Sequence, residues 1–304
     1  MSGYGDIFLK YARFYTRQDG ESRPVDHLNP PASLKAPLRP LHAGPLLHER
    51  YFDDATMVHV QELLAGIPEM KAQRDTMLLA AKIRTGDHAL DVGSGTGVFA
   101  RDMSKVTGGT GAVVGVDRSE IMLETARAAC PACIFLKGDA TALPVESVSF
   151  DVVTASQVLC FLHDVKTAIA EMFRVLRPGG RLVILDSHWD SLVWNSSNPK
   201  LMKRAIDLLL EKYVDTRLPV RLSRYLADTG FTLIDRQVFN ITNWEPAEDN
   251  YAAQTVGFIG PMMAASEAFD AADWKAWLDG LKSTAEAGEY LFSLNRYMFT
   301  ATKP

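Results

Sequence analysis

Cysteine is scarce in this chain of 304 residues: Cys130, Cys133 and Cys160 are all there is. Three cannot form a disulfide framework, which excludes a stapled secreted mini-scaffold and leads us to expect a reducing compartment, the cytoplasm by default. Long apolar runs are also missing. The longest uncharged stretch, residues 250–266, contains Gly257, Gly260 and Pro261 and falls short of the roughly 20 apolar residues a membrane span requires. No basic segment followed by an apolar one opens the chain, so no secretory signal is expected. A basic excess is absent as well: 32 Lys and Arg stand against 37 Asp and Glu, a net charge of -5. A surface built to neutralise many phosphates would lean the other way, so nucleic acid is not the expected partner. What is present is ordinary for a folded protein, with 47% hydrophobic and 23% charged residues, and that composition excludes disorder.

Three regions follow along the chain. Residues 1–69 form an N-terminal arm in which Pro30, Pro31, Pro37, Pro40 and Pro45 crowd one stretch, each fixing φ and removing a backbone donor. Ahead of them Tyr4, Phe8, Tyr11 and Tyr15 recur at helical spacing, giving one aromatic face that either closes the core or acts as a lid. Residues 70–186 alternate helical segments with short β-branched runs: HALDV, AVVGVD, CIFLKGD, FDVVTAS and RLVILDS. That alternation means βαβ units and a parallel sheet covered on both faces. Pro178 and Gly179 are expected to stop the helix VKTAIAEMFRVL. Residues 187–304 carry an amphipathic helix with Leu201, Ala205, Leu208 and Leu209 on one face, then a helix ending at Gly230. Two last strands, FTLIDRQVFNIT and YLFSLNRYMFTATK, lie too far apart for a bare loop, so the insertion between them needs helices of its own.

The strongest chemical signal is ALDVGSGTGVFA, residues 89–100, a strand that runs through a glycine-rich turn into a helix. Glycine permits positive φ and close backbone approach, and the free N–H groups of a helix start favour an anionic group. Gly93, Gly95 and Gly97 give GxGxG, with Val98 where a dinucleotide fingerprint wants its third glycine. The spacing therefore favours an amino-acid carboxylate over a pyrophosphate. The next strand ends in Asp117, able to accept from both hydroxyls of a ribose. The third leads to Gly138, Asp139 and Ala140, where a carboxylate can accept from an adenine amine and a backbone can pack beside it. The fourth ends at Ser156 and Gln157. Four consecutive strand ends thus present polar or glycine residues at the carboxyl edge, where open α/β sheets bind ligands.

LDVGSGTG, VVGVDRSEIML, GDATALPVESVSFDVV and RVLRPGGRLVILDS resemble the successive motifs of class I S-adenosylmethionine-dependent methyltransferases, of the type 11 or ubiquinone/menaquinone-methyltransferase-like subgroup. The resemblance is strong over residues 70–186 and looser to the end of the chain. It implies a Rossmann-like, seven-stranded α/β sheet, mostly parallel with one antiparallel strand, carrying helical cap insertions. It also implies S-adenosylmethionine as cofactor, with Gly93, Ser94, Gly95 and Gly97 near its methionine part and Asp91 organising the loop and facing the amino group. Asp117 would meet the ribose, and Arg118, Met122, Gly138, Asp139 and Ala140 would surround the adenine, with Ser156 and Gln157 beside them along the edge.

A sulfonium methyl is transferred by in-line displacement, for which orientation matters most and a base is needed only for some acceptors. His188, after the fifth strand, is the candidate base, or else an ordinary rim histidine. His163 is a weaker one; many relatives carry a histidine two positions earlier, where this chain has Phe161. Cys130 and Cys133 form a lone CxxC, expected to be ordinary thiols, and no metal site is expected. Arg217, Arg221 and Arg224 could clamp an anion or form a solvated face. Trp189, Trp194 and Trp244 could wall a pocket or fill a core, and TVGFIGPMMAA could line a pocket or build a helical hairpin. The expected activity is methylation of a small organic metabolite at O, N or carbon, beneath a cap formed by the arm and the insertions. A non-catalytic cofactor-binding module and a nicotinamide-dependent oxidoreductase are the alternatives.

Overall fold

The computed structural model describes residues 55–304. The aromatic face of Tyr4 to Tyr15 and the proline stretch lie outside the described residues. The chain divides into two compact units; the described part of the larger comprises His48–Val193, Leu210–Thr242 and Phe292–Pro304 from residue 55 on.

The larger unit is built on seven strands: β1 (His88–Val92), β2 (Ala112–Asp117), β3 (Ile134–Lys137), β4 (Phe150–Ser156), β5 (Leu176–Trp194), β6 (Thr232–Asn243) and β7 (Phe292–Thr302). Their spatial order is β3-β2-β1-β4-β5-β7-β6. The first five are parallel, and their registers, Val92 with Val116 and Ala155, Asp117 with Lys137, and Ser156 with Leu185, bring the carboxyl ends of β1 to β4 level with Leu185 of β5, which runs on past that edge. β7 runs against β5: Gly179 and Gly180 exchange backbone hydrogen bonds with Lys303 at one end, and Ser191 receives the Asn295 N–H at the other.

Alternation along the strands splits the core in two, as period-2 side-chain direction demands. Leu90, Val92, Val153, Ala155, Leu182 and Ile184 pack with Ile169, Met172, Leu222 and Leu226. Ala89, Val113, Val152, Val183 and Leu185 pack with Met77, Phe99, Met103 and Leu123. Strands buried on both faces read as continuous apolar runs, which is why β1, β2 and β4 were plain in the sequence.

The helices covering these faces are α1 (Ala55–Gly66), α2 (Pro68–Ala81), α3 (Val98–Thr107), α4 (Glu120–Ala129) and α5 (Val165–Val175). α5 starts at an Asp164 cap that accepts from the Thr167 N–H, and it ends at Val175, earlier than the expected stop at Pro178. The reason is that Leu176 already pairs with Phe150, and the RPGG segment is taken up as an irregularity within β5. Cys130 and Cys133 also depart from expectation: they form a disulfide across the end of α4 rather than two ordinary thiols.

The smaller unit, described here through Trp194–Leu209 and Asn243–Leu291, contains α6 (Pro199–Leu210), α8 (Tyr251–Ala265) and α9 (Ala271–Glu286), while α7 (Pro219–Thr229) belongs to the larger. Its centre is Trp277, fully buried, edge-on to Trp194 at 5.5 Å and stacked on Trp274 at 5.3 Å. The Trp277 indole N–H points at Met202 Sδ, 3.4 Å away. Gly260 lets α8 approach this cluster, since a Cβ there would lie 2.8 Å from Trp274. The Met-bearing run is thus one arm of a helical hairpin, and Trp194 is core, whereas Trp244 is 73% exposed. Among the described residues no helix is long and apolar enough to cross a membrane.

Candidate active site

The level carboxyl ends of β1, β2 and β4 and the stretch of β5 beside them gather the polar residues singled out in the sequence. After β1 the chain turns through Gly93, Gly95 and Gly97 at φ +69°, +51° and +75°, conformations that side chains with a Cβ rarely adopt. The turn is pinned from below: Gly93 and Ser94 N–H donate to Val116 O at 2.7 and 3.1 Å, and Gly95 N–H donates to Asp117 Oδ2 at 2.8 Å. Several amides expected to face a ligand therefore build the loop instead. Thr96 N–H points outward to Gln61 Oε1 on α1 at 3.3 Å, and a Cβ on Gly95 would meet that same oxygen at 2.3 Å. Ser94 Oγ is buried and has no hydrogen-bond partner among the described residues.

Two carboxyls sit beneath the loop. Asp91 is buried and accepts from Thr154 Oγ1 at 2.9 Å; burial first, and the charge of Asp117 in addition, push its pKa up to about 7 despite that bond. Burial of this kind disfavours the charged form. Asp117 accepts from the Gly95 N–H and, at 2.9 Å, from the Ser119 N–H, and burial raises its pKa. Beyond β3, Asp139 is exposed and held below the ordinary carboxylate range by hydrogen bonds from Thr141, with Arg118 adding its charge. Met122 is fully buried on α4. Gly138 passes against Pro144, 2.6 Å from where its Cβ would stand.

At the end of β4, Gln157 takes φ +56° and accepts from Ser187 Oγ at 2.6 Å, which in turn accepts from Arg296 Nε at 3.2 Å. Arg296 reaches Gln73 Oε1 at 3.0 Å. The next residue, Val158, packs on the glycine loop so closely that a Cβ on Gly93 would lie 2.2 Å from it. Asp186, fully buried at the end of β5, accepts from Leu159, Cys160 and Ser187 N–H; burial lifts its pKa to about 6. His188 follows on β5, edge-on to Tyr297, with Nε2 buried and without a partner. His163 is exposed, in the turn just before α5.

The three arginines do not converge: Arg217 meets Asp190 at 3.6 Å, Arg221 meets Asp215, and Arg224 meets Asp228 at 3.5 Å. Each is answered by its own acid. Residues that sequence reasoning passed over include Gln61, Gln73, Thr154, Asp186, Lys212 and Arg296. Of these only Asp186 carried a signal, as a carboxylate at a strand end.

An amide turned outward to Gln61 at a glycine turn, a buried hydroxyl with no partner among the described residues and a buried acid together fit the zwitterionic amino-acid end of S-adenosylmethionine. Comparison with known proteins agrees. The model of the methyltransferase domain family matches residues 90–184. An uncharacterized 37.1 kDa protein in a transposon of Streptomyces fradiae is 32% identical over 244 residues, 76% of this chain and 70% of that protein. Demethylmenaquinone methyltransferase of Lactococcus lactis is 44% identical over 113 residues, 36% of this chain; the match spans 45% of that relative's length. Among solved structures, phosphoethanolamine N-methyltransferase 2 of Haemonchus contortus in complex with S-adenosyl-L-methionine gives a TM-score of 0.55 at 23% identity, over 85% of this chain and 59% of that one. Fold and edge thus define an S-adenosylmethionine-dependent methyltransferase. The chain belongs to the S-adenosylmethionine-dependent methyltransferases, with S-adenosylmethionine as cofactor.

Proposed function

We propose that the enzyme methylates a small organic acceptor at O, N or carbon. The cofactor supplies an electrophilic methyl on a sulfonium, and the protein supplies its orientation, an effect worth about 7 to 11 kcal/mol in a well-aligned pair. In this reading Gly93, Ser94, Gly95 and Gly97 cradle the carboxylate end, with Ser94 Oγ donating. Asp91 takes the ammonium, which lets it ionise fully. Asp117 faces the ribose while still bracing the loop through Gly95. Arg118, Met122, Gly138, Asp139 and Ala140 frame the adenine, and Ser156 and Gln157 close the edge. His188, at the end of β5, offers Nε2 to a polar group of the acceptor.

The observation that carries the reading is the buried Asp91, bonded to Thr154 beneath a glycine turn that also holds Ser94, whose Oγ has no partner among the described residues. The match to demethylmenaquinone methyltransferases over the core supports a small-molecule acceptor. Purified enzyme with methyl-labelled S-adenosylmethionine and a panel of amines, phenols, hydroquinones and demethylmenaquinone should transfer label to at least one. Transfer only to protein or RNA contradicts it.

A further inference from the structure

Val158, which packs on Gly93, begins a turn of 3-10 helix through Leu159–Phe161. The carbonyl of Cys160 in this turn accepts from both Val214 N–H, at 2.9 Å, and Asp215 N–H, at 3.1 Å. The segment after α6 is thereby fastened to the carboxyl edge within a few residues of the glycine loop. That segment delivers Lys212, only 6% exposed. Its Nζ lies 5.0 Å from the centre of the Tyr213 ring and 5.9 Å from that of Trp189. Tyr213 stacks on Trp189 at 4.2 Å and leans on Phe161 at 5.0 Å. Trp189 is buried, its backbone tied to Thr216, and its indole N–H has no acceptor among the described residues. The Lys212 amine and a Trp189 N–H with no acceptor among the described residues thus lie against the same stacked rings, Trp189 of β5 and Tyr213.

We propose that Lys212 is a general base for the acceptor and that Trp189 Nε1 binds the oxygen it deprotonates, which makes the acceptor class a phenol-like or enol-like hydroxyl. This rests on the small-molecule reading above and narrows it. The acceptor O–H gives its proton to the neutral amine. The acceptor's electron pair, on oxygen or on a conjugated carbon, forms the bond to the methyl. The sulfur–methyl bond breaks with its pair left on sulfur, which becomes a neutral thioether. The ammonium formed is held against the π faces of Tyr213 and Trp189 and loses its proton to water after release.

The surroundings favour an amine that is free near neutral pH. Burial lowers the Lys212 pKa to about 7, while the opposing influence comes from Cys160. Cys160 is itself a neutral thiol, pushed up by burial and by Asp186. Among the described residues, the titratable groups on the elements around it include Asp186 beside Cys160, His188 on β5, Tyr213 and Glu211 on the same segment, Asp215 paired to Arg221, and Asp190 paired to Arg217.

Competitive labelling of the full chain with acetic anhydride between pH 5 and 11, read by mass spectrometry, tests Lys212 without any acceptor. An ordinary lysine has roughly one part in 2,500 as free amine at pH 7. Lys212 should therefore label at least tenfold faster there than exposed Lys71, Lys203 or Lys275, with a midpoint near 7. A Lys212 that stays unlabelled, or a midpoint above 9, overturns the proposal. With S-adenosylmethionine and a panel of naphthols, hydroquinones and primary amines, Lys212→Met should lose at least 100-fold in kcat towards the hydroxylated acceptors. It should also lose the wild-type acid limb near pH 7, and S-adenosylhomocysteine affinity should stay within twofold by calorimetry. Full activity of Lys212→Met, or a wild type that methylates amines and no hydroxyl, overturns it. Absence of transfer to every small molecule would instead count against the broader reading, while the labelling result still decides Lys212.

Discussion

Asp117 was expected to serve a ribose, and the structure shows that the same carboxylate also holds the glycine turn through Gly95 and the next helix through Ser119. Charge-assisted bonds of this type are worth about 1.5 to 3 kcal/mol each. Asp117→Ala should weaken S-adenosylhomocysteine binding by more than tenfold in calorimetry, and Asp117→Asn by less, since it keeps one acceptor oxygen. Asp91 makes a pH-dependent prediction. Its folded pKa of about 7 lies above the ordinary 3.8, so the folded state binds the extra proton and stability is lost as pH rises from about 4 to 7. Asp91→Asn should match the wild type in unfolding near pH 4 and exceed it at pH 8, by up to about 4 kcal/mol. In the same variant cofactor affinity should fall. A wild-type stability that climbs between pH 5 and 8 by an amount the Asn variant does not share would refute the assignment.

At the scale of elements, the sequence was most legible where the physics was most local. β1, β2 and β4 coincide with their apolar runs because strands buried on both faces need them. The Asp164 cap is equally direct: Asp164→Ala removes an acceptor for Thr167 and should cost about 1 kcal/mol in denaturant unfolding. The RPGG stop misled because Leu176 is drawn into pairing with Phe150, a tertiary contact with no local sign. The lone CxxC says nothing about whether its sulfurs are oxidised, and the arginine triad could be read as a clamp or a solvated face because Asp190, Asp215 and Asp228 are invisible as partners along the chain. Lys212 was hidden for the same reason. In EKYVDT it resembles any solvated helix end, and only the hydrogen bonds to Cys160, some 50 residues earlier, turn that segment inward.

Across the whole molecule, each of the two units holds its own core, and the smaller one is centred on Trp277. Trp277→Ala should cost about 3 to 5 kcal/mol of that unit's stability, read as a separate or lowered calorimetric transition. The larger unit supplies the sheet edge, and its glycine turn, Asp117 and Gln157 were foreseeable because each ends or follows a legible strand, whereas Gln61 and Gln73 come from helices and Arg296 from a distant strand. The most direct measurement is titration calorimetry of the full chain with S-adenosylmethionine at pH 7.5, repeated on Gly95→Val, whose side chain would occupy the space beside Gln61. One binding site in the wild type and none in the variant is the predicted outcome. No heat of binding in the wild type, or equal affinity in both, would contradict the account.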